Sequence, residues 1–440
     1  MPDIRPFRAL RYDSASIADQ ALVVAPPYDV VGPAEHERLL ARHPANVVRL
    51  DLPGDEVGDE PDARYRRAAR TLAGWRSDGT LHKDPHPSIY VYEQAYRVPG
   101  SEVERSQRGF FGRLRLEPFG PGAGVLPHER TMAGPREDRY KLLRATGVNT
   151  SPIVGLYHDA AGSGAPILDA LTARRADLDV LDDDGTRHRL WAVPADGDGA
   201  ATVAPLLAAA SAGPLTIADG HHRYETALRY RDERRMSRSC EEDPAFDYVL
   251  TLFLDTARQA LTVLPTHRIV RGLGDDGAGA MLARLGELFD VEWDVPAAAL
   301  LERFGAAGLA DGGTGRFGVW TRHGGAFLTA RREAFEPFLP AGGPALRALD
   351  VALLGVGLGR FVGINAEALA AGAVGYTKSA AEAIDSVDAG LDGADAAFLL
   401  EPTPVASVIA VAADGDVMPQ KSTYFYPKAL TGLVINPHEW

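Results

Sequence analysis

The run of residues from Leu215 to Arg235 constrains the fold of this chain more than any other stretch. Its first residues, Leu215 to Ile217, are β-prone, and the residues after Gly220 place apolar side chains at helical spacing. We therefore expect a strand, a tight turn at Gly220 and the start of a helix. Such a junction directs free backbone N–H groups and the positive end of a helix dipole at one point, which favours an anion such as phosphate.

Four polar residues surround this turn, namely Asp219, His221, His222 and Arg223. One acid, two imidazoles and a guanidinium suit phosphoryl transfer, because that reaction needs charge neutralisation and a proton acceptor. A structural interpretation is also open, in which Asp219 caps the helix, Arg223 pairs with an acid and the histidines are solvated. Four polar groups at one glycine turn exceed what a cap needs, which favours a functional role.

The overall composition limits the classes of partner. A length of 440 residues predicts two or three domains, and 45% hydrophobic with 24% charged residues is typical of a soluble globular protein. The formal net charge of −14 repels phosphate backbones, so we expect no nucleic-acid partner. A compact basic site within an acidic protein can still bind a small anion.

Several features predict a cytoplasmic location. The lone cysteine, Cys240, excludes an intrachain disulfide and a CxxC metal site. The first residues, MPDIRPFRALRY, lack the charged and apolar regions of a signal peptide. No window approaches the roughly 18 apolar residues of a membrane-spanning helix, so no membrane partner is expected.

The segment from Ala21 to Val31 is predicted to be a hydrophobic strand that runs into Pro26-Pro27 and ends near Tyr28 and Asp29. Polar residues at the end of a buried strand often belong to a site. The alternative is a proline-stiffened turn in which Asp29 acts as a cap. Asp29 is a candidate catalytic residue on the first interpretation.

The other segments alternate between strand and helix patterns. Residues 272–279 are rich in Gly and Asp and predict a linker, so we place a domain boundary there and expect domains at 1–272 and 273–440. The expected fold class is α/β, more specifically α+β. The remaining predicted elements are helices at 33–42, 63–78 and 136–146, antiparallel strands at 88–98 and 107–116, and strands at 46–52, 149–157 and 246–255.

A loop between Pro127 and Gly134-Pro135 carries two more candidates, His128 and Glu129. Loops carry reactive groups more often than packed elements do. Adjacent His and Glu residues are not a metal-binding signature, because they lack the i, i+4 spacing that directs two ligands at one ion. We therefore include both residues in the candidate site and predict no protein-bound metal cluster.

The segment MPQKSTYFYPKALTGL, from Met418 to Leu433, supplies a second set of anion contacts in Lys421, Ser422 and Thr423. The GxxxxGK frame of a P-loop is absent, so this is not a Walker A motif. A nucleotide base could stack on one of the aromatic residues 424–426. The alternative is that the aromatic rings fill the core and the lysines lie at the surface.

Five stretches in order, VAPPYDVV, PHERT, TGVNTSPIVGLY, ADGHHRYETAL and MPQKSTYFYPK, identify the chain as a member of the bacterial and archaeal family of domain of unknown function 1015. Within it, ADGHHRYETA resembles the nucleotide-binding motif of the ParB and sulfiredoxin superfamily, most closely the DGHHR element of free-serine kinases. The resemblance implies a ParB/sulfiredoxin-like core in which residues 50–212 form an insertion. It also implies that Gly220, His221, His222 and Arg223 hold nucleotide phosphates.

The same resemblance implies that Asp219 lies near the transferred group and that an acid from an early segment, Asp29 or Glu35, takes part. Together these inferences predict a phosphotransferase that uses ATP or ADP with Mg²⁺ and acts on the hydroxyl of a small metabolite such as L-serine. In this hypothesis His221 or His222 donates to the developing charge, and Asp219 or Asp29 accepts the hydroxyl proton. Two alternatives stay open, a hydrolase of small phosphorylated metabolites and a non-catalytic nucleotide sensor. The oligomeric state is not predicted.

Overall fold

The computed structural model describes residues 1–130, 133–237, 242–305, 313 and 315–440, so Cys240 lies outside the described residues. Its larger sheet is mixed, and the predicted α/β class and early antiparallel strand pair are both confirmed. From edge to edge its strands are Val125–Leu126, Leu215–Asp219, Ile153–Tyr157, Tyr248–Asp255, Glu104–Arg115, Ser88–Arg97, Arg187–Pro194 and Leu178–Leu181, and Ile4–Arg5 pairs with Glu104–Arg115.

The strand Leu215–Asp219 leads into the turn at Gly220. It pairs antiparallel with Ile153–Tyr157 on one side and parallel with Val125–Leu126 on the other. Because parallel strands end at the same edge of a sheet, the chain leaves Val125–Leu126 next to the turn at Gly220. This arrangement brings the loop at His128 to the start of the following helix.

A smaller antiparallel sheet comes mostly from the C-terminal half of the chain. It shares one hydrophobic core with the larger sheet, since Leu252 of the larger sheet and Phe317 of the smaller sheet belong to the same buried cluster. Its strands, in spatial order, are Phe289–Val295, Gly324–Ala330, Arg316–Thr321, Ala394–Leu400, His267–Arg271 and Val374–Thr377. Short pairs join Thr262–Leu264 to Tyr424–Tyr426, Leu10–Tyr12 to Leu81–Lys83, and Val148–Asn149 to Asn436–Pro437.

The helices cover the sheets and carry apolar faces toward them. None of those in the described ranges has the length and apolar character to cross a membrane. Their bounds are Pro33–Arg42, Val48–Asp51, Ala63–Ser77, Ala133–Thr146, Gly164–Thr172, Ala200–Ala210, His221–Ser237, Gly274–Arg284, Ala297–Phe304, Arg332–Phe335, Pro344–Arg347, Asp350–Val362, Ala366–Ala370, Ala380–Asp388 and Val405–Ala413.

Two segments that the sequence predicts as strands form helical turns instead. Residues 46–52 contain the short helix Val48–Asp51, where the Asn46 side chain accepts a hydrogen bond from the first N–H group at 3.0 Å. Residues 21–31 begin with the 3-10 turn Gln20–Leu22, where the Asp19 carboxylate accepts a hydrogen bond from the Ala21 N–H at 3.1 Å, and Ala25 forms an isolated bridge with Thr431. Polar side chains that bond to a nearby backbone N–H favour turns and helix starts over strands, which explains both errors.

Residues 272–279 do not form the predicted linker, because the helix Gly274–Arg284 begins within them. The Asp395 carboxylate accepts hydrogen bonds from the N–H groups of Leu273 and Gly274 at 2.7 and 3.1 Å, which stabilises the first turn. The strand His267–Arg271 precedes this helix and belongs to the smaller sheet. The division into domains at 1–272 and 273–440 stays a prediction.

The C-terminal segment returns to the N-terminal half of the chain. Leu10 and Ile435 exchange backbone hydrogen bonds of 2.9 and 3.0 Å, and the Met418 N–H donates to the His128 carbonyl at 2.8 Å. Backbone hydrogen bonds fix the register of the two segments. Residues 418–428 therefore lie at the edge of the larger sheet where the strand Leu215–Asp219 ends.

Candidate active site

A polar cavity of about 460 Å³ opens at the end of the strand Leu215–Asp219. It is lined by residues from both sheets and from the C-terminal segment. All the predicted site residues except Ser422 and Glu35 contribute to its wall, which brings together parts of the chain that are far apart in sequence. These residues are Asp29, His128, Glu129, Asp219, Gly220, His221, His222, Arg223, Lys421 and Thr423.

The turn at Gly220 has the conformation that the sequence predicts. Its φ of +87° lies in the left-handed region, and a Cβ atom there would come within 2.9 Å of the Ile153 side chain and 3.0 Å of Arg223 Nε. Glycine is thus required for both conformation and space. The helix His221–Ser237 begins at the next residue, so the free N–H groups of its first turn lie at the cavity.

The carboxylate of Asp219 is held between two cations. One oxygen accepts a hydrogen bond from Arg223 and the other from the Lys428 ammonium at 2.6 Å. Burial by itself would raise the pKa of Asp219, but the charges of Lys428 and Arg223 outweigh it and hold that pKa well below its usual value. Asp219 is therefore ionised, with both oxygens occupied, and it organises the cations of the cavity.

A hydrogen bond joins two histidines at the turn, His128 and His221. The backbone N–H of His128 donates to Nε2 of His221 at 3.2 Å, so the proton of a neutral His221 lies on Nδ1. Nδ1 of His128 contacts the Ile217 carbonyl, and its Nε2 lies 2.9 Å from the Thr423 hydroxyl, which donates to it. Burial lowers the pKa of His128 to about 4 and also lowers the pKa of His221, so both rings are neutral at neutral pH.

The third histidine, His222, is half-buried on the first turn of the helix and lines the cavity. Burial lowers its pKa, and the nearby carboxylate of Glu225 opposes that effect. A neutral ring at this position carries one N–H donor and one acceptor. His222 therefore brings a donor to the cavity without adding a fixed charge.

Glu129 presents a carboxylate with an unusual proton affinity. Burial raises its pKa to about 7, although the hydrogen bond from the backbone N–H of Lys421, at 3.0 Å, and the charge of Lys421 act in the opposite direction. Lys421 has a φ of 58°, a left-handed conformation that is uncommon for a residue with a side chain. A carboxylate whose pKa lies near the working pH is suited to accept and release a proton.

The aromatic run of the C-terminal segment does not provide the free stacking surface that the sequence suggests. Phe425 is buried in the core, and Tyr426 packs against Tyr96 with ring centres 5.4 Å apart. Tyr424 lines the cavity, but the ammonium groups of Lys378 and Lys428 lie over its ring at 4.2 and 4.4 Å. Cation–π contacts hold these two charges in place, so this end of the cavity favours an anion.

Two other predicted residues do not line the cavity. The Ser422 hydroxyl donates to the Pro419 carbonyl at 2.5 Å and is buried, so it does not face the cavity. Glu35 lies on the helix Pro33–Arg42 and pairs with Arg38 at 3.2 Å. Of the two acids considered for the early segment, only Asp29 reaches the cavity.

Several cavity residues were not predicted from the sequence. The strand Val374–Thr377 of the smaller sheet supplies some of them, and a local sequence pattern could have indicated it. The run Val374–Thr377 is β-prone and is followed by Lys378 and by Ser379, which caps the helix Ala380–Asp388, so it repeats the strand–polar–helix pattern of the Gly220 turn. The residues missed are Val30, Arg130, Ala218, Thr266, Tyr376, Thr377, Lys378, Gln420 and Lys428.

The part of the chain that the structure describes contains no group of three or more His, Cys, Asp or Glu side chains placed to hold a metal ion. One exposed carboxylate, that of Asp29, does reach the cavity. Mg²⁺ in phosphoryl-transfer sites is commonly held by one or two carboxylates together with the phosphates of the substrate. The cavity therefore fits a Mg²⁺ ion that arrives with its ligand.

The chain belongs to the family described as protein of unknown function (DUF1015), whose model matches residues 4–352, so the family prediction is confirmed. No curated protein matches it. Among solved structures it is similar to a free serine kinase variant in complex with AMP, with 12% identity and a TM-score of 0.37 over 77% of this chain and 96% of that chain.

Two further solved structures resemble the chain. A free serine kinase variant in complex with ADP shows 14% identity and a TM-score of 0.37 over 77% of this chain and 96% of that chain. A conserved hypothetical protein from Pyrococcus furiosus shows 12% identity and a TM-score of 0.33 over 69% of this chain and 87% of that chain. Similarity at such TM-scores carries no argument about function, so the function has to be inferred from the residues of the site.

Proposed function

We propose that the protein is a phosphotransferase that moves a phosphoryl group from ATP or ADP to the hydroxyl of a small metabolite. The observation that carries this proposal is the charge of the cavity. Five cations, Arg130, Arg223, Lys378, Lys421 and Lys428, line it against three carboxylates, although the chain as a whole has a net charge of −14. A concentrated positive site beside a helix N-terminus is suited to phosphate.

The phosphates of the nucleotide would bind at the first turn of the helix His221–Ser237 and at the lysines that face it. Lys378 and Lys421 make no ion pair within the described ranges, whereas Arg223 and Lys428 are already bonded to Asp219. Unpaired ammonium groups supply the larger part of the attraction for an incoming anion. His222 would add an uncharged donor.

Glu129 is the proposed proton acceptor. When the hydroxyl oxygen of the acceptor attacks the terminal phosphorus, its proton passes to the Glu129 carboxylate and the bond to the leaving nucleotide oxygen breaks. Asp219, which the sequence also offered for this role, is less suited because both its oxygens are bonded to cations and its pKa is lowered. Asp219 would keep Arg223 and Lys428 oriented instead.

Asp29 is exposed at the cavity and is the carboxylate best placed to bind Mg²⁺ that arrives with the nucleotide. The ion would neutralise part of the phosphate charge when bound. L-serine as acceptor, a ParB/sulfiredoxin-like core with an insertion at 50–212, the two-domain division and a cytoplasmic location belong to the same proposal. The first two are supported by the motif ADGHHRYETA, the two-domain division by the length of 440 residues, and the location by the lone cysteine and the apolar patterning.

A transfer assay tests the proposal. The full chain is incubated with ATP or ADP, Mg²⁺ and a panel of hydroxylated metabolites that includes L-serine, and phosphorylated products are identified by mass spectrometry. We expect transfer to one class of acceptor. A parallel incubation with phosphoserine and no nucleotide separates the alternatives, since release of phosphate there would favour a hydrolase. Nucleotide binding without any turnover would favour a sensor.

The proposed base also implies a dependence on pH. Burial raises the pKa of Glu129 to about 7, and only its ionised form accepts a proton. We therefore expect kcat to rise with pH through about 7 and to level off above it. The measurement is kcat against pH at saturating substrates. His128, whose pKa burial lowers to about 4, titrates below this range, so a profile that is flat across neutral pH would contradict the role of Glu129.

A further inference from the structure

The run from Pro265 to Arg268 contains a buried cation that the proposed mechanism does not use. Arg268 lies on the strand His267–Arg271 and is the register partner of Tyr376 on the neighbouring strand. Its guanidinium carbon lies 5.3 Å from the centre of the Tyr376 ring, and the residue is only 6% exposed. Since Tyr376 lines the cavity, Arg268 is in contact with its wall.

Arg268 has an unusual set of partners. Among the residues that the structure describes, no carboxylate forms an ion pair with it, and its guanidinium donates to the main-chain carbonyls of Thr266 and, at 3.2 Å, Lys421. Burial lowers the pKa of Arg268 to about 10. Because a buried charge is costly, an apolar side chain of similar size would serve packing alone at least as well.

The main chain of Lys421 connects this arginine to the proposed base. Its carbonyl accepts the hydrogen bond from Arg268 at 3.2 Å. Its N–H donates to the Glu129 carboxylate at 3.0 Å. Lys421 keeps its left-handed φ of 58° under these contacts, and such outliers concentrate at functional sites.

We propose that Arg268 is a positioning residue, which holds the main chain of Lys421 and through the Lys421 N–H fixes the Glu129 carboxylate for proton transfer. This inference rests on the proposed function, in which Glu129 is the base. The charged or titratable groups that face Glu129 are Lys421 and Lys428 from the C-terminal segment and Arg268 and Tyr376 from the smaller sheet. Arg268 thus adds positive charge to the surroundings of Glu129.

Titration of Glu129 tests this role without any turnover. Carboxyl NMR of the full chain, with the signal assigned through Glu129→Gln, follows its protonation. In Arg268→Met we expect the pKa of Glu129 to rise by about one unit, because a nearby positive charge is lost and the main chain of Lys421 is released. Arg271→Met, on the same strand, is the matched control and should leave the titration unchanged. An unchanged titration in folded Arg268→Met would overturn the inference.

A second variant covers the case in which Arg268→Met does not fold. Arg268→Lys keeps the charge, but one ammonium group cannot bridge the carbonyls of Thr266 and Lys421 as the guanidinium fork does. We expect the amide proton of Lys421 to exchange with solvent about tenfold faster. Exchange at the parent rate would overturn the inference. If these effects appear but no nucleotide is bound or turned over, only the proposed function fails.

Discussion

Turnover is expected to fall by about 10²- to 10⁴-fold in Glu129→Gln, while nucleotide binding persists. Glutamine has the same shape and keeps an oxygen that can accept the hydrogen bond from Lys421, which measures 3.0 Å in the parent protein. It cannot accept a proton at neutral pH, so the loss falls on the chemical step. The measurements are kcat from the transfer assay and the dissociation constant of the nucleotide from calorimetry.

The matched control for this prediction is Glu287→Gln. Glu287 lies on the surface, where it pairs with Arg284 at 2.7 Å, and it does not line the cavity. Its substitution should leave kcat unchanged. The rise of kcat through about pH 7 should also disappear in Glu129→Gln, because the titrating group is gone. A variant that keeps the parent kcat and pH profile would assign the base to another residue.

The second large effect concerns stability. Asp219→Ala is expected to lower the free energy of unfolding by about 3–5 kcal/mol, because it leaves two largely buried cations without their partner. The side chains of Arg223 and Lys428 are only 10% and 13% exposed, and each bonds to one oxygen of Asp219. Denaturation with urea measures the change. Added phosphate should restore more stability in the variant than in the parent protein, since an anion can replace the lost carboxylate.

An exposed ion pair provides the comparison for this experiment. Asp179 pairs with Arg187 at 2.7 Å, but the two side chains are 39% and 57% exposed. Solvent screens such a pair, so Asp179→Ala should change the free energy of unfolding by less than about 1 kcal/mol. Similar losses in the two variants would show that Asp219 does not organise a buried cluster of cations.

The sequence predicts the fold well where the signal is local. The junction from Leu215 to Arg235 forms as expected, because apolar spacing and one glycine at a left-handed turn determine it within a few residues. The prediction fails at residues 46–52, where a β-prone run is overridden by the Asn46 side chain that bonds to the first turn of a helix. The propensity of a short apolar run is too weak to decide between the two outcomes.

The sequence predicts most of the residues of the candidate site, but not how distant segments of the chain come together to form it. His128 reaches the Gly220 turn through parallel strand pairing, and the C-terminal segment reaches it through the bond from Met418 to His128. Neither contact leaves a local pattern in the sequence, because both join distant segments. Ser422 and Thr423 show the remaining ambiguity, since Thr423 lines the cavity whereas the hydroxyl of the adjacent Ser422 bonds to the Pro419 carbonyl.

Calorimetric titration of the full chain with ATP and ADP, each in the presence of Mg²⁺, tests the central claim most directly. We expect saturable binding of at least one of them. Lys421→Ala removes an unpaired ammonium group from the cavity wall, so it should weaken this binding about tenfold or more. Folded protein that releases no heat with either nucleotide, or that binds it equally well in Lys421→Ala, would contradict the assignment of this cavity to nucleotide phosphates.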